Sequence, residues 1–147
     1  MITGFTETEI SKYDYLTNKY AHLFSKEKRE PFPMFGFECG EGWYENLAQL
    51  LSHIDHYFNQ KYKGVPEGFK ITQIKEKFGE LRFYVEGSDR VIDELITFTE
   101  NLCGRTCEFC GSNNNIMKSK GWIVTACTSC IDKNKNLMNR KWVKVGN

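Results

Sequence analysis

Proline and histidine are scarce in these 147 residues, three of each, and neither occurs after Pro66. No apolar run approaches the roughly 18 residues of a membrane-spanning helix. The opening MITGFTETEISKYDY has neither the basic nor the apolar segment of a secretory leader. These absences give the expectation of a cytoplasmic protein, and in a reducing compartment six cysteines are not read as a disulfide framework. Also missing are a Gly-rich phosphate loop, a nucleophile elbow, and the H-x-E element with P-C-x-x-C of zinc deaminases. Glu76 and Glu80 flank a turn without a histidine partner, and His53 and His56 point in different directions on one helix, with His22 alone on another. No active site assembles, and the expectation is a protein that is not an enzyme.

What is present is a cysteine cluster, CEFCGSNNNIMKSKGWIVTACTSC, running from Cys107 to Cys130. Cys107, Cys110, Cys127 and Cys130 form two CxxC pairs sixteen residues apart. A CxxC turn sets two sulfurs on one side of a knuckle, and Gly111 suits the positive φ that such knuckles need. Four soft ligands select zinc, and a closed S₄ set leaves no coordination position for water, which points to a structural metal. The intervening NIMKSKGWIVTA can fold back about Lys120 and Gly121, giving a zinc-ribbon topology. Cys39 and Cys103 remain as thiols.

The rest of the chain reads as α+β: helices packed on a β-hairpin, with the zinc-ribbon lobe at the C-terminal end. Ile10, Tyr13, Leu16, Tyr20, Leu23 and Phe24 predict a helix over about 8–25, which ends before Pro31 and Pro33. MFGFECGEGW is too aromatic and Gly-rich for a solvated linker and reads as a packed loop. Trp43, Leu47, Leu50, Leu51, Ile54 and Phe58 form one stripe of a helix over 42–62. Residues 69–86 predict a hairpin about Gly79, bulged where Ile71 and Ile74 fall out of phase, with Leu81, Phe83 and Val85 on the buried face. Ser88 or Asp89 caps a helix over 89–103 carrying Val91, Ile92, Leu95, Phe98 and Leu102. A short helix from Thr128 to about Asn139 starts within the last cysteine pair.

The net charge of +1 hides a division. Residues 1–104 carry twelve Lys and Arg against seventeen acids, a net of −5, and residues 105–147 carry eight against two, a net of +6. The expected domains are therefore an acidic body, 1–104, and a basic Cys₄ lobe, 105–147. Two binding surfaces follow. Glu38, Glu41, Glu45 and Asp55, in a stretch with no Lys or Arg, would present charge to a basic groove on a protein partner. Lys133, Lys135, Arg140 and Lys141, with Lys118, Lys120, Lys144, Trp122 and Trp142, would track phosphates and stack bases as a DNA- or RNA-binding ribbon.

FGFECGEGWYENL (35–47), QIKEKFGELRFYVEG (73–87) and the terminal CEFCG with GWIVTAC resemble a family of small bacterial and phage proteins. Its pattern is an F-x-C-G-x-G-W loop, a K-E-K-F-G-x-L-R-F-Y hairpin, a helix and a Cys-rich zinc end. The resemblance covers roughly residues 35–130. Many relatives end in C-x-x-H where this chain has Cys130, an exchange of equivalent zinc ligands. The family pattern implies the fold and zinc but no activity. In size, polarised charge and lack of an active site the chain is also similar to phage inhibitors of host defence. That similarity implies a zinc-containing anti-CRISPR that blocks nucleic-acid loading of a Cas9-type nuclease.

Overall fold

Ser11 opens the first helix in the computed structural model, which describes residues 11–24 and 36–146. Its hydroxyl accepts from the Asp14 N–H, capping α1, Lys12–Lys19. The helix expected over 8–25 breaks at Tyr20, where the backbone leaves the helical region, and resumes as α2, Ala21–Phe24. Positions 8–10 and 25 lie outside the described residues, as do Pro31 and Pro33. The spacing nevertheless has the expected consequence, because Leu16, Tyr20, Leu23 and Phe24 are all buried.

A single 3₁₀ turn, Glu41–Trp43, leads into α3, Tyr44–Tyr62. All six members of the predicted stripe, from Trp43 to Phe58, are buried. Each such side chain contributes on the order of 2 kcal/mol by leaving water, so the stripe decides which way α3 faces. Lys63 ends it in the left-handed conformation, φ 62°.

The hairpin pairs β1, Lys70–Lys77, with β2, Glu80–Glu86. Ile71 and Ile74 are both fully buried although three apart, and the register shifts between Ile71 and Gln73, so the extra residue that returns Ile74 to the core is the predicted bulge. Lys77 pairs with Glu80, leaving a two-residue loop in which Phe78 (φ 56°) and Gly79 (φ 75°) both have positive φ. That is the signature of a type I′ turn, whose first position favours Asn or Gly; phenylalanine there costs about 1 kcal/mol. The packed loop expected from MFGFECGEGW lies along the outer edge of β1 where it is described: Glu38 N–H donates to Ile74 O, and Glu76 N–H to Glu38 O.

Asp89, not Ser88, caps α4, Arg90–Cys103, by accepting from the Ile92 N–H. Its buried stripe is Ile92, Ile96, Thr99 and Cys103, rotated from the expected set. Val91 and Phe98 face outward, Phe98 at 67% exposure, because α4 must meet both α3 and β2 and Phe98 falls outside that contact arc.

Beyond Gly104 a three-stranded antiparallel sheet forms from β3 (Ile116–Ser119), β4 (Thr125–Cys127) and β5 (Trp142–Lys144), with β3 central. The helix expected from Thr128 to Asn139 is two short pieces, α5 (Thr128–Asp132) and α6 (Lys135–Met138). Asn134 is extended and caps α6 through Asn136 N–H, which ends the first piece. Buried side chains gather in two clusters: a large one among α1–α4 and the hairpin, and a small one of Cys107, Ile116, Ala126, Cys127, Ile131 and Leu137. Among the described residues no helix is long and apolar enough to cross a membrane.

Candidate metal centre

Two knuckles converge on one point. The first runs from Cys107 to Ser112, closed by Gly111 N–H on Cys107 O (3.0 Å) and by Cys107 N–H on Ser112 O (2.8 Å). Gly111 takes the positive φ (83°) expected of it. The second runs from the end of β4 into α5, where the Cys127 sulfur accepts from Cys130 N–H at 3.4 Å. The sulfurs of Cys107, Cys110, Cys127 and Cys130 all lie within 4.8 Å of one another, and those of Cys110 and Cys127 are 3.6 Å apart. A tetrahedral metal with bonds of about 2.3 Å to sulfur needs sulfur–sulfur separations of about 3.8 Å. The four can hold a metal ion.

The electrostatics favour a cation there. Burial pushes the Cys107 thiol up, but the backbone N–H groups of Cys110, Cys127 and Phe109 outweigh it and bring the group down to about 7. Cys127 and Cys130 are pushed up, by burial first and then by the neighbouring thiols. One thiolate is therefore accommodated by the backbone, and further negative charge needs a positive ion among the sulfurs.

The cluster is built into the rest of the molecule at three points. Trp43, wholly buried, donates its indole N–H to Thr106 O at 2.9 Å. Gly42 N–H donates to Glu108 O at 2.8 Å, and Gly40 N–H to the Glu108 carboxylate at 2.9 Å. Thr125, wholly buried in β4, donates its hydroxyl to Gly79 O at 2.7 Å. A β-carbon on Gly40 would come within 2.3 Å of Glu108 O, and one on Gly42 within 2.3 Å of Cys107 O. These two glycines let the loop lie directly on the first knuckle. Neither Glu108 nor β5 was expected from the sequence; the run WVKV, half of it β-branched, is the signal that marks the strand.

Other expected features fare differently. Cys39 and Cys103 are thiols away from the cluster, each pushed up to about 12, chiefly by burial. Glu76 lies near the end of β1 and braces the turn, its carboxylate accepting from Gly79 N–H at 2.7 Å. The acidic surface is not bare: Glu45 pairs with Lys12, Asp55 with His22 at 2.6 Å, and Glu38 accepts from Gln73 at 3.0 Å. Lys12 holds the Glu45 carboxyl below its usual range. Glu41 is exposed beside Ser11, Lys12, Tyr13 and Tyr44. On the basic side Lys133, Lys135 and Lys141 are exposed, whereas Arg140 donates to Trp122 O at 2.7 Å and braces the β3–β4 turn. Trp142 is half-buried with its indole N–H on Leu137 O, so it is no open stacking surface; Trp122, 76% exposed, is one.

The chain is thus an α+β protein with a four-cysteine cluster able to bind a metal. Comparison with family models, with curated proteins and with solved structures returned no match.

Proposed function

We propose that the chain is a zinc-structured binding protein without catalytic activity, in which the metal holds the C-terminal lobe together. The observation that carries this is the donor set, four sulfurs within 4.8 Å of one another on knuckles whose backbone N–H groups point at sulfur. Four thiolates favour zinc over hard cations, and a closed S₄ shell leaves no place for a reacting water. Among the described residues the small cluster buries, besides two cysteines, Ile116, Ala126, Ile131 and Leu137, with Met117, Val124, Trp142 and Val145 half-buried against it. Metal binding would therefore supply most of the lobe's folding free energy. The β3–β4 hairpin between the cysteine pairs fits a zinc ribbon, and four thiols this close fit a reducing cytoplasm.

Metal analysis of anaerobically purified protein tests the reading: one zinc per chain, with a cobalt-substituted form showing the tetrahedral thiolate spectrum. Chelation should remove hydrogen-exchange protection at Ile116, Ala126 and Ile131 before it does so at Leu47 or Ile54. A second metal, or oxygen donors around the first, would overturn it and return catalysis to consideration.

A Cas9-type nuclease as partner rests on the resemblance alone. The acidic docking route now has three of its four residues in internal contacts. Joint charge reversal of Glu41, Glu45 and Asp55 is therefore expected to lower the melting temperature. Undiminished DNA cleavage by such a nuclease with this protein in excess disposes of the inhibitor reading.

A further inference from the structure

The β1–β2 turn and the β3–β4 turn touch each other. Thr125 Oγ1 bonds to Gly79 O at 2.7 Å, and a β-carbon on Gly79 would come within 2.7 Å of Ile123 Cγ2. The neighbour of Gly79 is Phe78, 63% exposed, and the neighbour of Ile123 is Trp122, 76% exposed. Neither ring helps the core, and phenylalanine at positive φ is unfavourable for the turn, so stability does not account for them. Lysines lie in and beside both turns. Lys77 holds its ammonium 5.6 Å over the Phe78 ring, Lys120 N–H bonds to Lys141 O, and Lys118 shares its cross-strand row with Thr125. The adjacent acids are committed, Glu76 to Gly79 N–H and Glu80 to Arg82.

We propose that this corner binds single-stranded nucleic acid, with bases stacking on Phe78 and Trp122 and with Lys77, Lys118, Lys120 and Lys141 neutralising phosphates. The charge selects a polyanion. Two exposed rings on touching turns, with lysines along both turns, suit stacked bases, whereas a bilayer takes up contiguous apolar area. The corner differs from the basic surface expected from sequence: it draws Phe78 and Lys77 from the acidic half of the chain and omits Trp142 and Arg140. It rests on the reading of the chain as a binding protein.

The test is fluorescence anisotropy of a labelled oligothymidylate with the zinc-loaded full chain at low salt. Binding is expected, with Trp122→Ala and Phe78→Ala each weakening it about 5-fold or more. Neutralising Lys77, Lys120 and Lys141 should flatten the dependence of log affinity on log salt by about 0.7 for each phosphate that is no longer neutralised. Phe98→Ala, on α4, should bind as wild type, and unchanged cobalt spectra will show that the variants keep the metal lobe. Several results overturn the proposal: no binding, equal weakening in Phe98→Ala, duplex binding indifferent to both rings, or capture by anionic phosphatidylglycerol vesicles without capture of the oligonucleotide. Any of these with one zinc per chain refutes this inference alone; a different metal content refutes the reading beneath it.

Discussion

Replacing Gly42 by alanine perturbs the join between the body and the cysteine cluster at a single atom. The added β-carbon would sit 2.3 Å from Cys107 O and 2.6 Å from the Glu108 carbonyl carbon, where ordinary contact begins near 3.4 Å. Both neighbours are backbone, so no side-chain rotation relieves the overlap. Gly42 does not have a positive φ, so the cost comes from overlap and not from a strained conformation. Separating the two segments forfeits the Gly42 N–H···O=C Glu108 bond, about 1 kcal/mol net. Overpacking adds about 1–3 kcal/mol. The total, about 2–4 kcal/mol, should lower Tm by roughly 5–15 °C in a chain of this size. The displaced atoms belong to the Cys107 knuckle, so cobalt affinity should fall as well, about tenfold for each 1.4 kcal/mol transmitted. The assay is thermal unfolding followed by circular dichroism beside a cobalt titration, with Gly146→Ala, whose β-carbon meets nothing within 4 Å, as the control. A Gly42→Ala protein that matches that control in both measurements would refute the packing argument.

Trp43→Phe keeps most of the ring volume but leaves Thr106 O without its donor in a buried site, and is expected to cost about 1–3 kcal/mol by denaturant titration. Phe78→Gly relieves the positive φ and should raise Tm by about 2–4 °C, for roughly 1 kcal/mol, while weakening the oligonucleotide. Glu100 accepts from Phe83 N–H at 3.0 Å, and burial pushes its carboxyl above the usual 4.5. A raised carboxyl favours folding below that value and loses its contribution as pH rises through the folded-state pKa. Glu100→Gln keeps the acceptor without the ionisation, so the wild type should lose stability relative to it as pH rises above about 4.5; parallel curves would count against the burial.

Those elements whose signal is local were legible in the sequence. The stripe of α3, the alternation of β2 and the bulge at Ile71 each follow from which side chains must leave water, and the CxxC knuckles follow from ligand chemistry. Where a choice depends on what an element packs against, the sequence misleads. Phe98 has helical spacing for the α4 core, yet Thr99 is buried in its place because two neighbours, α3 and β2, fix the rotation. The break at Tyr20 and the capping by Asn134 are single-residue events inside an otherwise helical pattern. The pairing within the acidic surface was hidden for a related reason: Lys12 and His22 are each thirty-three residues from the acids they meet, and no local charge pattern shows such pairing.

Other long-range pairings bear on the division at residue 104. Charge separates an acidic body from a basic lobe, but the hydrogen bonds do not respect that line. Trp43 has its acceptor on Thr106, Gly42 and Gly40 have theirs on Glu108, and Gly79 O has its donor on Thr125. A fragment ending at residue 104 would leave the Trp43, Gly42 and Gly40 donors and the Gly79 carbonyl without these partners. Those at Trp43 and Gly42 lie in residues buried in the full chain, and where they stay shielded from water the two together cost about 2–6 kcal/mol, a large part of the stability of a small domain. The fragment 1–104 is therefore expected to lack the cooperative melt of the full chain, although it contains all of the larger apolar cluster. Full-length protein stripped of metal should sit between the two, since the strands near Gly79 can still form. A fragment that melts cooperatively at the full chain's temperature would mean that the two halves fold independently and that the hydrogen bonds between them are incidental.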